Sequence, residues 1–295
     1  MGGQPTSFFS EGLQRLIARN APLWGGEAEV ARTYLASPRR DRGSDRRWVL
    51  RQLYKEYRDG IAPLVNAIQG ALPQLEHGVT REWLRDVTGM LHEGAGHYLL
   101  FAGLLEHLSD GAEATPGPDR LEAIGAWVEN DALRELRSRH CHEHGMLGHR
   151  ACQFTERGYC TLYHEGAQRK GLGGDDDAIA DVCASIHDEE FGSTLLDIVD
   201  LEDGGFVEAQ WKQLEEMTVE QMRLRIRMRN AQFGYPVPGW RVSELCAGAA
   251  DPLPFDEALA SRLRDEGERH RVDRGRQPAF ATKDHGNGGW YRART

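Results

Sequence analysis

The stretch that decides the fold is Leu91–Tyr98, which reads Leu-His-Glu-Gly-Ala-Gly-His-Tyr and lies inside a long segment of helically spaced apolar residues. Glu93 and His97 are four residues apart, so on a helix they lie on one face, one turn apart. A carboxylate and an imidazole are costly to bury on an apolar face without a partner. The same face carries Trp83, Val87, Met90, Phe101 and Leu104. A metal ion suits both polar side chains, so this stretch predicts a metal site between packed helices.

Composition restricts the class of protein. The chain has 295 residues and a formal net charge of −10, which disfavours nucleic acid as a partner. The longest apolar run, Tyr98–Leu105, is too short to span a bilayer, and the N-terminal sequence shows no signal-peptide pattern. Five cysteines, an odd number, do not indicate a disulfide framework. We therefore expect a soluble, cytoplasmic protein without a membrane partner.

Apolar spacing predicts helices throughout most of the chain and no strands. The predicted class is all-α, with a bundle domain at 1–234 whose core is 48–200. Residues 235–295 are predicted to form a C-terminal extension with one short helix and an irregular tail. The predicted helices span 7–19, 27–36, a segment from 48 that continues through 68 with a kink at Pro63, 80–108, 119–139, 147–170, 175–200, 207–232 and 255–270.

Four of the predicted long helices each carry a glutamate on or beside the apolar face. Two histidines share a face with these glutamates. Spacings of 37 and 34 residues separate the glutamates within each half, which corresponds to one helix, a turn and a second helix. Carboxylate and imidazole donors together suit iron or manganese. The predicted metal ligands are Glu56, Glu93, His97, Glu156, His187 and Glu190.

This ligand set resembles that of the ferritin-like di-iron carboxylate superfamily, which includes rubrerythrin, ribonucleotide reductase small subunits, fatty acyl desaturases and arylamine oxygenases. The resemblance covers residues 48–200. The family pattern is Glu, Glu-x-x-His, Glu and Glu-x-x-His on four successive helices. Here the first histidine, His97, comes four residues after its glutamate. Ser193 stands where the second histidine would be, and the nearest histidine, His187, lies upstream of Glu190.

The resemblance implies a ferritin-like bundle with extra helices at both ends and two bound iron ions, or manganese in their place. It also implies a non-haem di-iron oxidase or monooxygenase that activates O2 to oxidise a small organic substrate. Glu93, Glu156 and Glu190 would be its catalytic residues. An electron-donor protein and a homodimer would be its expected protein partners.

Several alternatives stay open at the level of sequence. Glu165 and the adjacent His164 compete with Glu156 for the ligand position on the fourth long helix. A heme-oxygenase-like di-metal oxidase is a second enzyme class that is all-α and uses glutamate and histidine. Ser193 favours a third class, a non-catalytic helical metal-binding or scaffold protein with a degenerate site.

Two further segments carry charged or metal-binding side chains. The segment from His140 to His149 could bind zinc through Cys141, His142, His144 and His149, or could form an exposed turn between helices. The last long helix carries four alternating arginines that cannot share one face, at 223, 225, 227 and 229. We interpret these arginines as flanking charges that pair with the acidic surplus, with binding of an anionic substrate as the alternative.

Overall fold

The computed structural model describes residues 9–75, 78–111 and 115–275, with side chains as far as 266. Within these ranges regular structure is helical, apart from an isolated bridge between Leu75 and Val79, which confirms the all-α class. None of the helices described there has the length and apolar character that a membrane crossing requires. The helices are α1 (Glu11–Leu35), α2 (Arg42–Lys55), α3 (Ala62–Ala71), α4 (Arg81–Leu108), α5 (Pro118–Gly125), α6 (Val128–His144), α7 (Met146–Thr155), α8 (Thr161–Ala167), α9 (Gly174–Val199), α10 (Glu208–Gln232), α11 (Gly239–Cys246) and α12 (Glu257–Gly275).

The chain divides into two compact units. Of the described residues, the first combines 9–40 with 127–268, and the second combines those between 41 and 126 with 269–275. The domain boundary at 234 stays a prediction. Helix α11 follows residue 234 and yet packs on α1 and α10, because its apolar side chains need a covered surface.

The first unit is organised around α1 and α10, which pack along each other. Helix α8 packs on α1 and α9, while α6 and α7 pack on each other and on α10. The apolar side chains between these helices are fully buried, among them Leu13, Leu16, Trp24, Leu214 and Ile226. This arrangement brings α1, from the start of the chain, beside helices that follow more than a hundred residues later.

The second unit is a smaller helical cluster. Helix α2 packs on α4 and α5, and α3 packs on α4. Trp48 and Phe101 meet edge to face in its core, with ring centroids 6.1 Å apart. The indole N–H of Trp48 donates to Asp45 Oδ1 at 3.1 Å, which satisfies a donor that burial would otherwise leave unpaired.

The N-terminal region is one helix, so the prediction of two helices at 7–19 and 27–36 is wrong. Pro22 lies inside α1, and the glycines after it do not end the helix. A Cβ placed on Gly26 would lie 3.1 Å from Ile226 Cδ1, tighter than ordinary contact. The absence of a side chain at Gly26 therefore allows α1 to approach α10 closely.

Helix α2 begins earlier than predicted, within the charged segment 37–47. Asp41 and Ser44 form a capping box, in which each side chain bonds to the backbone N–H of the other. The predicted kink near Pro63 appears as a π-helical turn, Glu56–Ile61, between α2 and α3. Proline cannot donate its backbone hydrogen bond, which accounts for a disturbed register just before it.

Two other helices that were predicted as continuous are interrupted in the structure. The helix predicted at 119–139 is two helices, separated at residues 126–127. The one predicted at 147–170 is interrupted between α7 and α8, and α11 was not predicted. By contrast, α4, α9 and α10 agree with their predicted ranges to within about two residues.

Candidate functional site

The turn between α7 and α8 has an unusual backbone conformation. Gly158, Tyr159 and Cys160 all have positive φ, at 54°, 58° and 55°. Left-handed conformation costs a non-glycine residue roughly 1–2 kcal/mol, so two such residues in succession need strong support from their surroundings. Tyr159 receives part of that support from Trp24, on which its ring stacks with centroids 4.4 Å apart.

Directly under Gly158 lies a buried ion-pair network. Glu27 on α1 is 0% exposed and accepts hydrogen bonds from Arg225 Nε at 2.8 Å and Arg229 Nε at 3.0 Å. A Cβ on Gly158 would collide with both Arg225 and Glu27. Burial opposes ionisation of Glu27, but the charges of the two arginines outweigh it and lower the pKa of this carboxyl. This network fixes α1, α10 and the left-handed turn to one another.

Arg157, just before the turn, connects it to α9. Its guanidinium forms an ion pair with Glu190 and donates to Asp197 Oδ2 at 2.5 Å. Gln153 Nε2 donates to the other oxygen of Asp197 at 2.7 Å. Burial lowers the pKa of Arg157, but Glu156 and the two carboxylates on α9 outweigh it and raise the pKa overall. Glu190 is therefore paired with a cation.

Two histidines from different helices come together at His187, which lies one turn before Glu190 on α9. His164 on α8 and His187 on α9 have ring centroids 5.6 Å apart. The ring of His187 also stacks on Phe191, with centroids 4.9 Å apart and an interplanar angle of 16°. Burial, reinforced by the neighbouring His164, lowers the pKa of His187. A lowered pKa favours the neutral imidazole, which is the form that binds metals.

The six predicted ligands fall into two groups. Glu156, His187 and Glu190 belong to the first unit, and the other three belong to the second. Of those in the first unit, His187 and Glu190 lie one turn apart on α9. The expectation that Glu156 lies on the apolar face is wrong, because α7 ends at Thr155 and the side chain of Glu156 is exposed.

Glu165, the competitor of Glu156, has the opposite environment. It is 7% exposed and accepts two hydrogen bonds from Arg32, at 2.6 and 3.0 Å. This ion pair joins α8 to α1, so Glu165 has a structural role in the first unit.

In the second unit, the predicted ligands lie on α4 and on the π-helical turn that packs against it. His97 is buried, as predicted. Glu93 is exposed, so its expected place on the apolar face is wrong. Glu56 is half-buried and accepts a hydrogen bond from Gln52 Nε2 at 2.5 Å. Burial and the neighbouring Tyr57 raise the pKa of Tyr98, one residue after His97.

The described residues contain no group of three or more His, Cys, Asp or Glu side chains arranged to hold a metal ion. This finding covers the His140–His149 segment as well as the predicted ligands. That segment is not an exposed turn throughout, since His140 is 4% exposed and residues 147–148 are also buried, whereas its middle residues 142–143 and 145–146 are exposed.

Sequence reasoning missed Glu27 and Arg157 as partners of the site. The arginines at 225 and 229 were expected to be flanking charges, and their spacing of four did signal that these two share a face. Glu27 was hidden because the sequence around it was interpreted as the start of a separate short helix.

The comparisons with known proteins do not identify a relative: this chain matches no protein-family model, no curated protein and no solved structure.

Proposed function

We propose that this chain is a non-haem iron oxidoreductase that uses O2 to oxidise a small organic substrate, and that His164, His187 and Glu190 hold an iron ion. The observation that carries the proposal is the approach of the two imidazoles, with 5.6 Å between ring centroids; one of them, His187, precedes Glu190 by one turn on α9. Two histidines and one carboxylate are the donor set of non-haem Fe(II) oxygenases.

The types of donor suit such an ion, but the three side chains are not arranged around one point in the structure, and they would have to move together on binding. Two neutral imidazoles and one carboxylate leave coordination positions open for O2 or substrate. Glu190 would exchange its ion pair with Arg157 for the metal, and Arg157 would keep Asp197 as its partner. When bound, iron supplies the electrons that activate O2. Phe191, stacked on His187, would hold that imidazole in place and limit water on one side.

The resemblance to the di-iron carboxylate superfamily extends this proposal. It would add a second ion, held within the second unit, with Glu56, Glu93 and His97 among its ligands. The support is sequence spacing together with the buried position of His97 and the π-helical turn that carries Glu56. Insertions of this kind in helices are frequent at functional sites.

A second candidate function is a metal-free helical scaffold. One observation favours it: Glu190 and Asp197 are already neutralised by Arg157. A satisfied buried ion pair needs no metal, and removing one partner from it is costly. In this case the three residues would form a structural network that fixes α9 to the turn after α7.

Metal content separates the two candidates. The full chain would be loaded anaerobically with Fe(II), freed of excess metal and analysed for bound iron. We expect at least one iron ion per chain and a transient visible absorption band after O2 is admitted. His187→Ala and His164→Ala should each lose iron, whereas His142→Ala, which removes an exposed histidine of α6, should keep it.

Each result of the iron analysis supports or refutes one of these assignments. Normal iron loading in His187→Ala would refute the assignment of the site. A wild-type chain that binds no iron would support the scaffold. Two ions per chain, one of which is lost in Glu93→Ala, would support the di-iron centre.

A further inference from the structure

Two thiols lie side by side where α6 and α7 pack together. Cys141 Sγ and Cys152 Sγ are 3.6 Å apart. The two helices meet at Gly145, whose φ of 54° and ψ of −125° reverse the chain direction. A Cβ on Gly148 would collide with the carbonyl of His140, so the helices approach each other closely. Both cysteines are partly exposed, so a small reagent can reach them.

Neighbouring groups hold the second thiol in place. Cys152 Sγ lies 3.7 Å from the carbonyl oxygen of Arg137 and accepts from Gln221 Nε2 at 3.6 Å. Gln221 is itself positioned, since its Nε2 lies 3.0 Å from His140 Nδ1 and its Oε1 accepts from Thr155. Cys152 therefore faces Cys141 because of its surroundings.

The other three cysteines differ from this pair. Cys160, Cys183 and Cys246 are all buried. The thiol of Cys160 lies 3.2 Å from the Thr194 hydroxyl, and Cys246 Sγ donates to a backbone carbonyl. Accessibility and a neighbouring thiol thus occur together at Cys141 and Cys152.

We propose that Cys141 and Cys152 form a redox-active dithiol, which low-molecular-weight disulfides oxidise reversibly to an intramolecular disulfide. The Cys141 thiolate attacks one sulfur of the small disulfide, forms a mixed disulfide and releases one thiolate. Cys152 then loses its proton and attacks Cys141 Sγ, which releases the second small thiol. Two protein thiols and one small disulfide give one protein disulfide and two small thiols.

The electrostatics agree with this order of attack. The hydrogen bond from Cys152 lowers the pKa of Cys141, while that same bond and burial raise the pKa of Cys152. The thiolate forms first at the more exposed sulfur, which is the usual attacking group. Bond formation requires the sulfurs to approach by about 1.6 Å, from their present separation to a disulfide length of about 2.05 Å.

The test uses the full chain incubated in buffers with varied ratios of reduced to oxidised glutathione. Free thiols would be alkylated after acid quenching, and intact and peptide masses would be measured. We expect the oxidised chain to carry three alkyl groups where the reduced chain carries five, with one disulfide joining the peptides that contain Cys141 and Cys152. Returning the chain to reduced glutathione should restore all five free thiols.

Single variants separate the roles of the two sulfurs. Cys152→Ser should accumulate a glutathione adduct on Cys141, because no second thiol can resolve it. Cys141→Ser should leave Cys152 largely unreacted, and Cys246→Ser, the matched control, should form the disulfide as the wild type does. The proposal is overturned if the wild-type chain keeps all five thiols free at the most oxidising ratio, or if the disulfide joins other cysteines. Both of these outcomes are measured on the wild-type chain, so the test does not depend on whether a variant folds.

Discussion

The buried carboxylate Glu27 offers the sharpest test of how the first unit is held together. Glu27→Gln keeps the shape of the side chain and removes its charge. Arg225 and Arg229, which are 3% and 1% exposed, would then lose the carboxylate that their Nε groups contact. Breaking a buried pair by removing one partner costs about 3–5 kcal/mol. For a domain of this size, that cost lowers the melting temperature by roughly 6–20 °C.

A matched control lies two residues further along the same helix. Glu29 also pairs with an arginine, Arg241 at 2.7 Å, but both of these side chains are about a third exposed. Glu29→Gln should therefore cost about 1 kcal/mol or less. Urea unfolding followed by far-UV circular dichroism measures both free energies of unfolding. If the two variants lose equal stability, the buried network does not have the role assigned to it here.

Further predictions concern pH, backbone strain, covalent linkage and metal. Because the pKa of Glu27 is lowered from 4.5, its stabilisation is present above pH 4.5 and is lost as pH falls through the lowered value; the stability gap between the wild type and Glu27→Gln should shrink in acid titrations. Gly158→Ala should cost about 2–4 kcal/mol from left-handed strain and collision, measured by urea unfolding against Gly205→Ala, which has φ of 59° and open space around it. Oxidation of Cys141 and Cys152 should raise unfolding stability by about 3 kcal/mol, since it closes a loop of about 12 residues in the unfolded chain; an unchanged urea midpoint would contradict this. His187→Ala should reduce bound iron without lowering the helical circular dichroism signal, whereas a loss of both would indicate a packing role.

The sequence by itself determined the class of the fold and its most regular helices. Helices such as α4 and α9 were predicted within about two residues, because long apolar periodicity and clear end signals agree there. Thr80 caps α4 by accepting from Trp83 N at 3.1 Å, a local interaction that needs no tertiary partner. Such elements depend on residues close together in the chain, which a sequence displays directly.

At some positions the same residue is compatible with two local structures, and only the tertiary structure shows which of the two forms. Gly26 could end a helix or admit a neighbouring helix, and only the position of Ile226 shows that it does the latter. Gly158 was expected to lie inside a long helix, yet its φ is 54° and a side chain there would collide with Glu27. Local propensity differs little between these alternatives, whereas collision or close packing differs by several kcal/mol.

The candidate site shows the same limit. Spacing placed His187 and Glu190 on one face of α9, as the structure has them. Spacing could not show that Arg157 pairs with that glutamate, or that the helix of Glu156 ends one residue before it. Apolar periodicity can assign a residue to one face of a helix only if the helix extends through that residue, and α7 ends before Glu156. Which charges meet across helices is decided by packing between distant segments, and this information lies in the tertiary structure alone.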